Sequence, residues 1–174
     1  MKKLLLIVDY QNDFVDMALA TKDSEKCYPH ILNLIEEYQK EGDDIIFTRD
    51  THEENYLSTE EGKHLPIKHC IKGTKGWEFY GELEKISKNY EVIEKNTFPS
   101  LTLAELLKDQ NYDEITIVGL DLAICVLSNA VMCKSALPNA HIVVDLKGCK
   151  TLSDYIEEVA VNELKNLQVE VIDR

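Results

Sequence analysis

The sequence is poor in basic residues and in long apolar runs. Lys and Arg total 19 against 32 Asp and Glu, a formal net charge of −13 over 174 residues. Non-specific binding to nucleic acid depends on clustered cations that meet the phosphates, so this balance argues against a nucleic-acid partner. No apolar run approaches the ~20 residues of a membrane span, and we therefore expect no membrane association.

Proline and glycine are also scarce, with 4 and 7 residues respectively. This scarcity excludes collagen-like and low-complexity chains. Hydrophobic residues make up 44% of the sequence, and a chain of this length can bury one large core without metal or disulfide staples. We therefore predict one domain over residues 1–174.

The cysteines are odd in number and form no Cys-x-x-Cys pair: Cys27, Cys70, Cys125, Cys133 and Cys149. The apolar run after Lys2 and Lys3 resembles a short signal peptide, but Asp9 ends it and no small-residue cleavage site follows. These features favour free thiols in a reducing cytoplasm, and the early apolar run fits a first strand.

Short apolar runs alternate with longer amphipathic ones along the chain. The predicted strands are Lys3–Asp9, Asp44–Arg49, Glu91–Glu94, Glu114–Gly119, His141–Asp145 and Val169–Asp173. The predicted helices are Ser24–Glu41, Leu101–Lys108, Cys125–Ala136 and Asp154–Leu167. Near-continuous apolar strands are typical of parallel sheets buried on both faces. We predict an α/β fold, a three-layer α/β/α sandwich with a mostly parallel, doubly wound sheet of five to six strands.

One segment, residues 51–81, breaks this alternation. Its periodicity is weak, and it is rich in His, Glu, Lys and Gly. A long irregular segment inside a compact domain is usually a functional loop or a lid. We therefore predict that this segment contributes to a binding site.

Polar side chains follow the predicted strands at the edge of the sheet where ligands bind in doubly wound folds. Asp9 ends the first strand, Lys95 follows the third, and the fourth leads to Cys125. A thiol at a helix N-terminus beside an ammonium group is expected to form a thiolate near neutral pH. Asp9 would accept and return the proton, while backbone N–H groups of Asp121 and Cys125 hold an oxyanion. This set suits hydrolysis of a carbon–nitrogen bond, although each residue alone is equally an ordinary cap, surface lysine or core thiol.

A second group of chemically active side chains lies in and beside the irregular segment. Asp50 and His52 are two residues apart, so an extended backbone directs both to one side, and His69 lies further along. A mixed Asp/His/His site with Glu61 or His64 as a further ligand suits zinc, iron or manganese better than calcium. The alternative is a polar loop with surface histidines.

Five sequence blocks occur in order along nearly the whole chain. They are Leu5–Phe14 (LLIVDYQNDF), the Asp50-x-His52 pair, His69–Thr74 (HCIKGT), Lys95 with Phe98, and Gly119–Val126 (GLDLAICV). Together these blocks resemble the isochorismatase-like cysteine hydrolases and, within that family, the nicotinamidases.

The resemblance implies a role for each matching residue. Asp9 is expected to be the general base, Lys95 the charge stabiliser, and Cys125 the nucleophile that forms a thioester. A cis peptide near Leu120–Asp121 is expected to direct backbone N–H groups into the oxyanion hole. Phe14 is expected to stack on the substrate ring, with Leu120 as a further substrate-binding residue.

The resemblance also implies a metal cofactor. Asp50, His52 and His69 are similar to the metal site with which nicotinamidases bind the pyridine nitrogen. Glu61 is the first choice for a fourth ligand and His64 the alternative. One divalent transition metal ion is expected, zinc first and iron or manganese otherwise. The implied reaction is hydrolysis of nicotinamide, a small-molecule amide, to nicotinate and ammonia, and the family also implies a homo-oligomer.

Three positions depart from the family pattern and keep other functions open. Leu122 and Ala123 stand where relatives usually carry Ser/Thr and Asn/Asp, and Leu65 replaces an aromatic residue, for which Tyr56, Trp77 or Phe98 would substitute. One alternative is a related amidase with another small amide or carbamoyl substrate, and a second is a non-catalytic α/β binding module. A flavodoxin-like nucleotide-binding domain is disfavoured because no glycine-rich loop follows the first strand.

Overall fold

The computed structural model of the chain describes residues 1–173, so the predicted boundary at residue 174 lies outside the described residues. The strands are β1 Lys3–Val8, β2 Asp44–Asp50, β3 Glu91–Lys95, β4 Glu114–Gly119, β5 His141–Cys149 and β6 Glu170–Ile172. The α-helices are α1 Asn12–Val15, α2 Tyr28–Glu41, α3 Glu60–His64, α4 Leu83–Ile86, α5 Leu101–Leu107, α6 Leu127–Ala136 and α7 Asp154–Asn166. A π-helical turn, Leu122–Val126, directly precedes α6.

The six strands form one sheet in the order β3-β2-β1-β4-β5-β6, and neighbouring strands are parallel. The chain winds outward from β1 to β3 and then returns to place β4 on the other side of β1. The carboxyl ends of β1 and β4 therefore flank the point where the winding reverses, which is the usual ligand position in such folds. The predicted doubly wound parallel sheet is confirmed.

Helices cover both faces of this sheet, as the alternation of side chains along β1 requires. Leu5 and Ile7 pack with Ile31 and Leu34 of α2 in one core. The opposite core joins β1 to α5, α6 and α7 through Leu4, Leu6, Val8, Leu103, Ala130 and Leu164. The three-layer sandwich predicted from the apolar runs is therefore correct.

Element boundaries differ from the predictions where local chemistry intervenes. The first predicted helix divides into a 3₁₀ turn, Ser24–Cys27, and α2, whose start carries Pro29, a residue suited to the first helical turn. The helix predicted to begin at Cys125 begins at Leu122 as the π turn. The sequence analysis does not predict α1, α3 and α4, because four or five residues are too few to show helical periodicity.

Residues 51–81 are largely irregular, as predicted, and contain a 3₁₀ turn at Tyr56–Ser58 and the short α3. All five cysteines are buried free thiols. Within residues 1–173, no helix combines the length and apolar character that crossing a membrane would need.

Gly119 allows the close approach of β1 and β4 beside the predicted site. A Cβ at this position would lie 2.0 Å from the carbonyl oxygen of Val8, and the backbone has a φ of +129°. Only glycine fits both conditions without strain. The residue after β1, Asp9, therefore lies next to the turn that follows β4.

Candidate active site

The structure brings the three predicted catalytic side chains together. Asp9 follows β1, Lys95 ends β3, and Cys125 lies in the π turn after β4. The Nζ atom of Lys95 lies 2.5 Å from Oδ2 of Asp9 and 3.7 Å from Sγ of Cys125. Because β2 lies between β3 and β1, the long side chain of Lys95 reaches across β2 to Asp9.

Further contacts hold the Asp9–Lys95 pair in place. The Thr48 hydroxyl donates a 2.7 Å hydrogen bond to Oδ1 of Asp9. Lys95 Nζ donates to the carbonyl oxygen of Thr97 at 3.0 Å and lies 3.7 Å from Oδ1 of Asp50. Asp9 and Lys95 are almost fully removed from solvent. Such a buried pair keeps its geometry only while both partners are present, since removal of either leaves an uncompensated charge.

Burial dominates the proton affinities of the nucleophile and the base. Burial raises the pKa of the Cys125 thiol well above its ordinary value, although Lys95 lowers it. Burial also raises the pKa of Asp9 against the influence of Lys95. Burial disfavours the Lys95 ammonium, but Asp9, Cys125 and Asp50 outweigh it and raise the pKa of Lys95. This balance opposes the thiolate expected near neutral pH, because the neighbouring carboxylates of Asp9 and Asp50 add to the desolvation of the sulfur.

Hydrogen bonds define the turn that carries the nucleophile. Asp121 caps it: its side chain accepts the N–H of Ala123 at 2.8 Å, and its carbonyl oxygen accepts that of Val126 at 3.0 Å. The second bond spans five residues, which makes the turn π-helical, a geometry frequent at functional sites. Cys125 thus lies in the first turn of a continuous helical segment. The peptide bond between Leu120 and Asp121 is cis, as the family resemblance predicts.

Asn129 is a residue that the sequence analysis did not identify. Its Nδ2 donates to the carbonyl oxygens of Cys125 at 2.8 Å and Phe98 at 3.0 Å, and its Oδ1 accepts the N–H of Ser100 at 3.0 Å. It therefore ties the turn of Cys125 to the segment after Lys95. The sequence offered no signal for this role, because the complete burial of the Asn129 amide is visible only in the structure.

Asp50, His52 and His69 form a buried cluster whose donor atoms all lie within 4.8 Å of one another. Nε2 of His52 lies 3.0 Å and Nε2 of His69 lies 3.5 Å from Oδ2 of Asp50. Burial raises the pKa of Asp50, but the imidazoles of His52 and His69 and the nearby Lys95 ammonium outweigh burial and lower it below its ordinary value. The three residues are thus arranged around one point at the end of β2.

Of the two candidates for a fourth ligand, Glu61 lies beside the cluster and His64 does not. Oε1 of Glu61 lies 3.5 Å from Nε2 of His69 and 3.7 Å from Nε2 of His52. The His64 side chain is 80% exposed and pairs with Glu60 on the surface. Both candidates belong to α3, and the direction of that short helix decides between them.

The donor set fits a divalent transition metal. Nδ1 of His69 donates to the carbonyl oxygen of Ile67 at 2.8 Å, which leaves its Nε2 directed at the cluster. Within residues 1–173, the buried Nε2 of His52 is one of few side-chain atoms without a hydrogen-bond partner. Imidazole nitrogens and carboxylate oxygens are typical ligands of zinc, iron and manganese. A ligating imidazole is typically oriented by a hydrogen bond from its other nitrogen, as His69 is here.

Tyr56 lies behind the histidines. Its ring packs edge-on against those of His52 and His69, with centroids 4.8 and 4.9 Å away, and its hydroxyl donates to the carbonyl oxygen of Leu65. The predicted aromatic wall is therefore not formed by Tyr56. Trp77 also lies elsewhere, with its indole bonded to Thr51.

A small cavity of about 80 Å³ extends from Cys125 to Asp50 and His69 of the cluster. Its lining residues are Phe14, Leu19, Asp50, Glu61, Leu65, His69, Phe98, Asp121, Ile124 and Cys125. The ring centroid of Phe14 lies 5.7 Å from that of His69. Within the described chain, the structure does not bring the Leu120 side chain to this cavity, because it is fully buried in the α2-side core.

Comparisons with known proteins identify a family and a relative by sequence. The profile of the isochorismatase domain family matches residues 3–174. An uncharacterized isochorismatase family protein, PncA of Bacillus subtilis (strain 168), is 32% identical over 143 residues, 75% of this chain and 78% of the relative.

Two solved structures are also similar to this chain. The nicotinamidase/pyrazinamidase PncA of Bacillus subtilis has a TM-score of 0.88 at 26% identity, over 99% of this chain and all of the other. The pyrazinamidase of Pyrococcus horikoshii, in complex with zinc, shares the fold with a TM-score of 0.87 at 24% identity over 100% of both chains.

Proposed function

Because the chain belongs to the isochorismatase family, we propose that it is a metal-dependent, cysteine-dependent amidohydrolase that converts nicotinamide to nicotinate and ammonia. The observation that carries this proposal is the single cavity that joins Cys125 to the Asp50, His52 and His69 cluster. A pyridine carboxamide has its reactive carbonyl at one end and a ring nitrogen at the other. The cavity has Cys125 at one end, to face the carbonyl, and the cluster of Asp50, His52 and His69 at the other, to face the ring nitrogen.

The walls of the cavity support a small aromatic substrate. Phe14, Leu19, Leu65, Phe98 and Ile124 provide apolar side chains between the two polar ends. An aromatic ring held between such side chains loses water contact and gains stacking with Phe14, which orients the amide toward the sulfur. The small volume favours a single ring over a larger acyl group.

In the first half of the reaction, Sγ of Cys125 attacks the amide carbon. Its proton passes to the Asp9 carboxylate, whose raised pKa makes it a stronger base than an exposed aspartate. The carbonyl oxygen becomes an oxyanion held by the backbone N–H groups of Asp121 and Cys125. Collapse of this adduct breaks the carbon–nitrogen bond, and Asp9 returns the proton so that ammonia leaves.

In the second half, water hydrolyses the thioester. Asp9 removes a proton from the attacking water, and nicotinate leaves as Sγ of Cys125 recovers a proton. Lys95 stays charged throughout, because its pKa is raised by the groups around it, and so offsets the negative charge of Asp9 and the sulfur. This arrangement requires no histidine in proton transfer.

Asp50, His52, His69 and Glu61 would hold the metal ion, and zinc is the ion we propose, with iron or manganese as alternatives. A divalent ion held there would supply a Lewis acid for the lone pair of the pyridine nitrogen. The ligand residues thereby fix which end of the substrate faces Cys125. Self-association of the chain stays a prediction, to be measured by light scattering.

Of the three residues that depart from the family pattern, only Leu65 lines the cavity. Leu122 is fully buried in the core, and within the described residues neither it nor Ala123 lines the cavity. Leu65 does line it, and so does Phe98, which provides an aromatic side chain. Nicotinamide therefore stays the first choice over other small amides.

The test is an ammonia-release assay with nicotinamide and with benzamide, combined with elemental analysis of the purified protein. We expect one divalent transition metal per chain and hydrolysis of nicotinamide well above that of benzamide, which lacks the ring nitrogen. Equal rates with both amides, or a preference for a carbamoyl compound, would contradict the pyridine assignment. Absence of any amide hydrolysis would instead support a binding module.

A further inference from the structure

Three consecutive polar residues, which begin two positions after Asp9, are buried without any part in the proposed reaction. Gln11 is fully buried, and Asn12 and Asp13 are each 6% exposed. Polar side chains are rarely buried unless hydrogen bonds compensate for the lost water. Their partners therefore show what the segment holds in place.

Gln11 binds the backbone of a metal ligand. Its Oε1 accepts the N–H of Asp50 at 2.7 Å, and its Nε2 donates to the carbonyl oxygens of Asp50 and Trp77, both at 2.9 Å. The paired ladder between β1 and β2 ends at Val8 and Thr48, so Asp50 has no strand neighbour on that side. The primary amide of Gln11 takes the place of the missing peptide group.

Asp13 binds the backbone next to a second metal ligand. Its Oδ2 accepts the N–H of Cys70 at 2.7 Å, and its Oδ1 accepts that of Ala18 at 3.2 Å. Cys70 directly follows His69 and has a φ of +46°, a conformation that needs such support. The carboxylate fits against Gly76, where a Cβ would lie 2.0 Å from Oδ2.

We propose that Gln11 and Asp13 are positioning residues of the metal site. Gln11 fixes the backbone of Asp50, and Asp13 fixes the backbone that carries His69. A metal ion binds tightly only where its ligands already stand in place, and loss of such supporting partners typically weakens metal binding about 10–100-fold. This inference rests on the metal site of the proposed function.

The experiment compares the full-length variants Gln11→Glu and Asp13→Asn with the wild-type chain. Each substitution keeps the shape of the side chain and changes one hydrogen-bonding group. Zinc affinity is measured by competition with a chromophoric chelator, ligand geometry by the visible spectrum with Co²⁺, and stability by thermal unfolding of the metal-free chains. Asp145→Asn is the matched control, because Asp145 is a fully buried carboxylate on β5 that also accepts a backbone N–H, from Lys147.

We expect both variants to bind zinc about 10–100-fold more weakly, with a changed Co²⁺ spectrum, while the control loses stability without losing affinity. Wild-type affinity and spectrum in both variants would overturn the inference, and so would an equal loss of affinity in the control. If one variant does not fold, the other decides. A wild-type chain that binds no divalent ion would contradict the metal site itself, a result distinct from unchanged variants.

Discussion

The two ends of the cavity are built in different ways. The nucleophile end, Asp9, Lys95 and Cys125, stands on the ends of β1 and β3 and on the turn after β4. The metal end has only Asp50 on a strand, while His52, Glu61 and His69 come from residues 51–81. The first stands mainly on the ends of sheet strands, whereas the second depends on an irregular segment that backbone bonds of His52 and the side chains of Gln11 and Asp13 hold in place. We therefore expect substitutions to separate chemistry from metal binding.

Replacement of the nucleophile should have the largest effect. Cys125→Ala is expected to lower the rate of nicotinamide hydrolysis on the order of 10⁴- to 10⁶-fold, because the remaining groups cannot form a thioester. Zinc affinity should stay unchanged, since Cys125 is not a ligand. Ammonia release and a zinc competition titration measure the two quantities. The control is Cys133→Ala, which removes another buried thiol outside the cavity and should keep its activity. Wild-type activity in Cys125→Ala would refute the mechanism.

Removal of a proposed metal ligand should have the next largest effect. It should weaken zinc binding and leave the reactivity of Cys125 unchanged. His52→Ala is expected to weaken zinc binding by more than about 100-fold, beyond the effect of losing a supporting partner. Alkylation of Cys125 by iodoacetamide should persist, because the nucleophile end does not depend on this imidazole. Chelation of the wild-type chain should reproduce the loss of activity, and added zinc should restore it. Loss of Cys125 reactivity in His52→Ala would show that the two ends are not separable.

A smaller effect should distinguish Glu61 from His64 on the same helix. Glu61→Gln is expected to weaken zinc binding about tenfold, because a neutral amide replaces a carboxylate close to both histidines. His64→Gln should leave the affinity unchanged, since that side chain lies in solvent. Equal titration curves for the two variants would remove Glu61 from the ligand set.

The smallest effect should come from the wall between the two ends. Phe14→Leu is expected to raise KM for nicotinamide about 3- to 10-fold with little change in kcat, because stacking with the ring is lost while the apolar surface is kept. Steady-state kinetics separate these parameters. A fall in kcat with an unchanged KM would instead indicate that Phe14 orients the amide in the transition state.

Much of the nucleophile end was predictable from local patterns. The apolar runs before Asp9 and Lys95 defined strands, and parallel strands place their carboxyl ends at one edge, so the polar residues there had to converge. For the metal end, the sequence predicted candidate ligands from their residue types and spacing, including the Asp50-x-His52 pair. Neither pattern identified Asn129, Gln11 or Asp13, because their roles are hydrogen bonds to residues far away in the chain.

The sequence by itself determined which reactive groups follow the strands. They are a carboxylate, an ammonium group and a thiol, with histidines in the irregular segment. Only the tertiary structure decided that Glu61 faces the histidines, that the Leu120 side chain points into the core, and that burial raises the pKa of Cys125. Periodicity and strand ends are local properties, so a single chain segment carries them. Desolvation and side-chain direction depend on what other segments pack nearby, and that is settled only when the sheet and the loop come together.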